Sequence, residues 1–117
     1  MKRHPWVLSL ALIVVLVCAF LVAAQLGRAA GDNPGKVDVT IDNFSFTPAS
    51  VTVTVGTTVT WTNKDDVPHT VVSDDKTTFR SKALDTDEKY SYTFTKAGKY
   101  DYFCSVHPRM TGEIVVK

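Results

Sequence analysis

The sequence is poor in cysteine and in net charge, and both features narrow the possible functions. Among its 117 residues there are two cysteines, three histidines and two methionines. Cys18 lies in an apolar N-terminal run, so the remaining chain has the single thiol of Cys104 and no internal disulfide. The formal net charge of +1 provides no basic surface for a polyanion, so a nucleic-acid partner is excluded.

After the N-terminal segment the sequence also lacks helical periodicity, repeats and low-complexity tracts. Apolar and polar residues instead alternate in short runs, for example in Val37–Asp42 and Tyr90–Phe94, with turn signals such as Gly56 and Gly98 between runs. This pattern is typical of strands in a sandwich or small barrel. We predict an all-β, Greek-key antiparallel β-sandwich over residues 37–117. We expect its packing residues to include Trp61, Phe79, Leu84, Tyr90, Tyr92, Phe94, Tyr100 and Tyr102.

The N-terminus has the pattern of an export signal. Lys2 and Arg3 precede Val7–Ala24, a stretch of 18 residues without a charge. This stretch is just long enough to span a bilayer, whereas the small residues at its end suit cleavage. We therefore predict that residues 1–24 are a signal peptide or a membrane anchor. Contact with the membrane is expected only through residues 7–24, if they are retained.

A short linker is expected between the N-terminal segment and the β domain. Residues 25–36 contain glycines and a proline without periodicity, which predicts a flexible linker ahead of the domain. Removing residues 1–24 leaves 11 basic and 12 acidic residues, so overall charge indicates no particular partner. We expect the domain in the periplasm or on the outer face of the cytoplasmic membrane.

One short motif has the chemistry of a metal site. Cys104, His107 and Met110 follow one another at intervals of three residues. Thiolate and thioether ligands favour copper, and imidazole suits several transition metals. Because three extended residues span about 10 Å, the three side chains can reach one ion only if the chain coils. Pro108 fixes one φ angle in this stretch.

A trigonal site for a soft metal needs two imidazoles, one thiolate and a weak axial donor. The predicted domain has two histidines, His69 and His107. His69 precedes the motif by 35 residues, which is enough chain to return beside Cys104 in a sandwich. The predicted metal ligands are therefore His69, Cys104, His107 and Met110.

Several segments of residues 37–117 resemble the cupredoxins, the small blue copper proteins, and most closely those of the amicyanin type. Plastocyanin-like proteins share the pattern but place more residues between the last histidine and the methionine. The matching segments are Phe44–Pro48, Val59–Asn63, Pro68-His69 and Gly98–Met110. Thr70 departs from the family pattern, in which asparagine often follows the first histidine and ties its loop to the cysteine loop. Here we expect a hydroxyl to make part of that hydrogen bond.

The resemblance implies one copper ion, with Met110 as a weak axial ligand, and a one-electron carrier that is not an enzyme. Electrons would pass through the edge of His107 within an apolar patch that includes Pro68, Pro108 and Met110, with Arg109 at its rim. A dehydrogenase, a c-type cytochrome or a reductase is the expected protein partner, and the carrier is expected to be a monomer.

Other functions fit the sequence less well. A multicopper enzyme would need further histidines, including one at the position of Phe103. A copper-handling protein of the cell envelope is the alternative, although such proteins use clusters of Met and His or a Cys-x-x-Cys pair. An interaction module without a metal leaves the Cys-His-Met loop unexplained, and methionine is a poor zinc ligand. The charged residues Asp65, Asp66, Asp74, Asp75 and Lys76 are interpreted as solvated loop charges.

Overall fold

The computed structural model of the protein describes residues 35–117. Eight strands make up its regular structure: β1 (Lys36–Asp42), β2 (Ser45–Thr47), β3 (Ser50–Val53), β4 (Thr58–Asn63), β5 (Val72–Ser73), β6 (Lys89–Thr93), β7 (Gly98–Phe103) and β8 (Thr111–Val116). Across these residues there is no helix with the length and apolarity needed to cross a bilayer. The predicted signal or anchor lies outside the described residues, as does nearly all of the linker, so the division of the chain at 24 and 36 stays a prediction.

The strands form two four-stranded sheets, in the orders β2-β1-β4-β6 and β3-β8-β7-β5. The all-β sandwich is thereby confirmed, but the prediction of antiparallel sheets was wrong in part. Strand β1 pairs with β4 in parallel, and β3 pairs with β8 in parallel. The parallel partners are distant in sequence, because the chain crosses between the sheets before it returns. Alternation of side chains reports which face of a strand is buried and carries no information about strand direction.

Alternation explains how each strand contributes to the core. In β4, Val59, Trp61 and Asn63 are buried, whereas Thr58, Thr60 and Thr62 are partly exposed. β-Branched threonine and valine suit a sheet that is buried on one face. Thr58 and Thr60 lie opposite hydroxyl residues of β6, and the Oγ1 atoms of Thr58 and Thr93 are 2.7 Å apart.

Aromatic rings fill the space between the sheets. Trp61 is fully buried and lies with its ring centroid 5.7 Å from that of Phe79 and 5.4 Å from that of Tyr102. Phe79 comes from the long segment between β5 and β6, and Leu84 in the same segment is also buried. The predicted packing roles are confirmed: Trp61, Phe79, Leu84, Phe94 and Tyr102 are buried, and Tyr90, Tyr92 and Tyr100 pack against them.

Candidate metal centre

The predicted ligand loop connects β7 to β8 at one end of the sandwich. The amide of Cys104 donates to the carbonyl of Met110 at 3.0 Å, and the amide of Met110 donates to the carbonyl of His107 at 2.9 Å. These two bonds close the six-residue segment 105–110 into a compact turn. The coiling expected from the three-residue spacing is confirmed.

His69 reaches the same end from a different segment. Its amide donates to the carbonyl of Leu84 at 3.1 Å, and the amide of Leu84 donates back to the carbonyl of His69 at 2.7 Å. This isolated bridge fixes the backbone of His69 ahead of β5, which begins at Val72. The imidazole of His69 is fully buried.

Three of the four predicted ligands come together. The donor atoms of His69, Cys104 and His107 all lie within 4.8 Å of one another. The Sγ atom of Cys104 is 3.7 Å from Nδ1 of His69 and 3.8 Å from Nδ1 of His107. Nitrogen and sulfur ligands bind transition metals at about 2.0–2.3 Å, so donors arranged trigonally around one ion would be separated by about 3.5–4 Å. The two observed S–N separations have this size, and the donor set therefore fits one metal ion.

Met110 is the last residue of the same loop. Its side chain is 5% exposed and belongs to the buried apolar cluster. Its backbone closes the loop at both Cys104 and His107, as described above. Thioether coordination by Met110 stays a prediction.

Asp65 is the principal correction to the sequence interpretation, since it is not a solvated loop charge. Its side chain is buried, with 8% of the residue exposed, and its Oδ2 lies 2.7 Å from Nε2 of His69. It also accepts the amides of Asn43 at 2.6 Å and Phe44 at 2.9 Å. The Phe44 amide is the largest cause that lowers the pKa of Asp65 to about 2, against the opposing effect of burial. A carboxylate that binds the far nitrogen of an imidazole is the usual partner of a metal-ligating histidine.

The thiol of Cys104 is poised to ionise. Burial opposes ionisation, but hydrogen bonds from the Thr70 amide and from the imidazoles of His69 and His107 outweigh it and lower the pKa of Cys104 to about 6. The Thr70 amide lies 3.3 Å from Sγ. Since the thiolate is the form that binds a metal, these donors favour the ligand state before any ion is bound.

Thr70 joins the two ligand segments, as expected from its position after His69. Its Oγ1 accepts the amide of Ser105 at 2.7 Å and lies 2.7 Å from Oγ of Ser105. It is also 3.7 Å from Sγ of Cys104. The expectation that a hydroxyl makes part of the tie between the two loops is confirmed, and Ser105 contributes a second hydroxyl that sequence reasoning did not identify.

The surface above the cluster differs in one respect from the predicted apolar patch. Pro68, Pro108 and Arg109 are exposed and His107 is partly buried, whereas Met110 faces inward. A residue from the β1–β2 turn lies there instead: the ring of Phe44 meets His69 at 5.5 Å and His107 at 5.0 Å between centroids. Sequence reasoning did not identify Phe44 as part of the site, because its contact with the histidines depends on the folded arrangement.

Comparison with known proteins agrees with this geometry. A family model described as a cupredoxin-like domain matches residues 10–116. Amicyanin of Paracoccus versutus is 38% identical over 103 residues, which cover 82% of this chain and 76% of that protein.

Solved structures show the same similarity at the level of the fold. A purple cupredoxin from Nitrosopumilus maritimus superimposes with a TM-score of 0.66 at 34% identity, covering 69% of this chain and 99% of its own. A copper-containing nitrite reductase from Thermus scotoductus SA-01 superimposes with a TM-score of 0.66 at 35% identity, covering 77% of this chain but 24% of the reductase chain. About two thirds of this chain is thus similar to nearly the whole of the purple cupredoxin, and about three quarters of it to one part of a larger copper-containing reductase.

Proposed function

This chain belongs to the cupredoxin family, and from that premise we propose that it is an exported type 1 copper protein that carries single electrons between redox proteins. The observation that carries the proposal is the placement of the Cys104 thiol at 3.7 and 3.8 Å from the two imidazole nitrogens. Its His2Cys donor set is the one that trigonal electron-transfer copper sites use.

The proposed ligands are His69, Cys104 and His107, with Met110 as a weak axial donor. Bound copper would supply the one-electron Cu(I)/Cu(II) couple. The chain itself fixes the donors: Asp65 orients His69, Thr70 donates to the Cys104 sulfur, and two backbone bonds close the loop that carries His107. Donors held by such contacts need to move little when the charge of the site changes, which suits rapid electron transfer.

The proposed role is that of a carrier and not of an enzyme. With four ligands from the protein, no coordination position is left for a substrate. His69 and Cys104 are fully buried, which supports a closed site. The nitrite reductase that shares the fold is about four times longer than the part matched here, so its activity does not transfer to this chain.

Electrons would enter and leave through the partly buried ring of His107, within a patch that would include the exposed residues Pro68 and Pro108. Transient redox encounters use small interfaces of this kind. The proposed partners are a dehydrogenase, a c-type cytochrome or a reductase. We place the protein in the periplasm or on the outer face of the cytoplasmic membrane, as a monomer.

A visible absorption spectrum tests the proposal. The protein loaded with Cu(II) should show an intense blue band that bleaches with ascorbate and returns on reoxidation. The same band should be absent from Cys104→Ala, because it arises from the bond between thiolate and copper. A colourless protein that still binds Cu(I) would favour copper handling, and a protein that binds no copper would refute the assignment.

A further inference from the structure

Phe44 has a backbone conformation that its residue type disfavours. Asn43 and Phe44 are the two central residues of the turn between β1 and β2, with φ angles of +50° and +57°. Such a two-residue turn requires positive φ at both positions, and glycine is the usual second residue. A bulky side chain in this region is a conformational outlier, and outliers of this kind persist only where the surroundings fix them.

Burial in the core does not compensate for this conformation. Phe44 is 51% exposed and lies outside the buried apolar cluster. Within residues 35–117 its aromatic contacts are with the two imidazoles, at interplanar angles of 87° to His69 and 86° to His107. Both contacts have the edge-to-face geometry that aromatic rings prefer.

Asp65 connects the position of Phe44 to the site. Its Oδ2 accepts the Phe44 amide at 2.9 Å and lies 2.7 Å from Nε2 of His69. One carboxylate therefore holds both a predicted ligand and the turn that carries the ring. His107 has no such carboxylate within the described part of the chain: its ring is bounded by Cys104, His69 and Phe44.

We propose that Phe44 is a positioning residue for His107. The ring of Phe44 holds the partly buried imidazole of His107 against the other ligands and shields it from water. This inference adds a positioning residue to the proposed copper site, and it rests on the proposed function for the role of copper. It assigns to the β1–β2 turn the restraint on His107 that Asp65 provides for His69. Its consequence is that the residue best suited to the turn, glycine, is the wrong residue for the site.

Substitution by glycine separates a structural role from a positioning role. Phe44→Gly should leave the urea midpoint of the apoprotein unchanged or higher, because glycine adopts positive φ without cost. The same variant should lose the ordered environment of His107, seen as changed ring chemical shifts and faster ring motion in NMR spectra of the apoprotein. Copper release to a chelator should become about tenfold faster, the size expected from the loss of two aromatic contacts. Phe44→Leu, which keeps an apolar side chain, should fall between glycine and the native residue.

Val55→Ala is the matched control, since Val55 is 41% exposed and lies at the opposite end of the sandwich, where its amide bonds to Lys117. It should change neither the His107 spectrum nor the release rate. The proposal is overturned if Phe44→Gly leaves both measurements at the values of the control. Because the NMR measurement needs no metal, it tests the position of His107 independently of copper binding. A native protein that forms no blue centre would refute the proposed function but not the positioning of His107 by Phe44.

Discussion

Asp65 accepts hydrogen bonds from three groups in two segments of the chain: the amides of Asn43 and Phe44 in the β1–β2 turn and the imidazole of His69. Replacing it with alanine would remove the acceptor of the Phe44 amide and the partner of the buried His69 imidazole, while the Asn43 amide would keep its bond to Oδ1 of Asp42 at 2.9 Å. We expect Asp65→Ala to lower the free energy of unfolding of the apoprotein by about 2 kcal/mol or more. Its copper affinity should fall 10- to 100-fold, as is typical when the partner of a ligating histidine is lost.

Urea unfolding of the apoprotein and chelator competition with Cu(I) measure these two effects separately. Asp66→Ala is the control, because Asp66 is the adjacent carboxylate, is exposed, and makes no side-chain hydrogen bond within residues 35–117. An unchanged copper affinity in Asp65→Ala would show that His69 needs no fixed partner.

Thr70 offers a second test at the residue scale. Thr70→Val keeps the shape of the side chain but removes the acceptor of the Ser105 amide, which now lies 2.7 Å from Oγ1. We expect the Ser105 amide to exchange its hydrogen about fivefold faster, in keeping with the loss of one hydrogen bond worth about 1 kcal/mol. Thr70→Ser retains the hydroxyl and should exchange at the native rate. Equal exchange in all three proteins would mean that the tie between the loops does not depend on this hydroxyl.

Some residues of the site could be identified from the sequence and others could not, for physical reasons. Cys104 and His107 are close in sequence, and their residue types alone favour a soft metal. Asp65 is four residues before His69, a spacing compatible with contact, yet a carboxylate near two other charges in a loop is usually solvated. Only the folded turn, in which the Phe44 amide donates to Oδ2 of Asp65, distinguishes it from Asp66.

At the scale of elements, β7 and β8 approach closely at one pair of residues. Tyr102 lies opposite Gly112, and a methyl group added at Gly112 would overlap the ring of Tyr102. Because that ring is buried among Phe46, Trp61 and Phe79, it has little room to move. We expect Gly112→Ala to destabilise the protein by about 1–3 kcal/mol in urea unfolding.

Gly35→Ala controls for the change from glycine to alanine itself, since nothing lies within 4 Å of the added methyl group there. It should leave the free energy of unfolding nearly unchanged. If the two variants were equally stable, the ring of Tyr102 would have to be far less confined than its contacts indicate.

The turn after β5 depends on one exposed carboxylate. The hydroxyls of Ser73 and Thr78, followed by the amides of Thr78 and Thr77, hold the pKa of Asp75 well below its ordinary value. A carboxylate with a lowered pKa in the folded state stabilises that state fully above its unfolded pKa of about 3.9, and this contribution decreases as the pH falls from that value through the lower pKa of the folded state. Asp75→Asn should therefore destabilise the protein more at pH 7 than at pH 3.

Urea unfolding at the two pH values measures this difference. The neighbouring Asp74 is also exposed, and its carboxylate makes no hydrogen bond within the described residues, so Asp74→Asn should show a much smaller dependence on pH. A loss of stability in Asp75→Asn that is equal at pH 7 and pH 3 would contradict the role given to the charge.

The strands were predictable from alternation, but their partners were not. The pattern of β1 identifies one buried face whether the neighbouring strand runs parallel or antiparallel. The pairing of β1 with β4 and of β3 with β8 depends on how the chain crosses between the sheets, and no local residue preference encodes that crossing. The tight β1–β2 turn was not predictable either, because Phe44 stands at the second central position, where such a turn usually has glycine.

At the scale of the whole molecule, the site is held by contacts that need no metal. Asp65 and Thr70 bind the ligand segments, backbone bonds close the loop, and the core around Trp61 is continuous with Cys104 and Met110. The folded state should therefore form in the absence of copper. In this respect the domain differs from small metal-dependent folds, in which binding of the ion and folding are one event.

Copper should nevertheless stabilise the fold through mass action, because the unfolded chain does not bring His69 to Cys104. With free Cu(I) buffered at a thousand times its dissociation constant, the free energy of unfolding should rise by about 4 kcal/mol. Anaerobic urea unfolding with and without buffered Cu(I) measures this increase, and Cys104→Ala should show a much smaller one. An apoprotein that is unfolded without copper would contradict the preformed site, whereas an equal increase in Cys104→Ala would place the copper elsewhere.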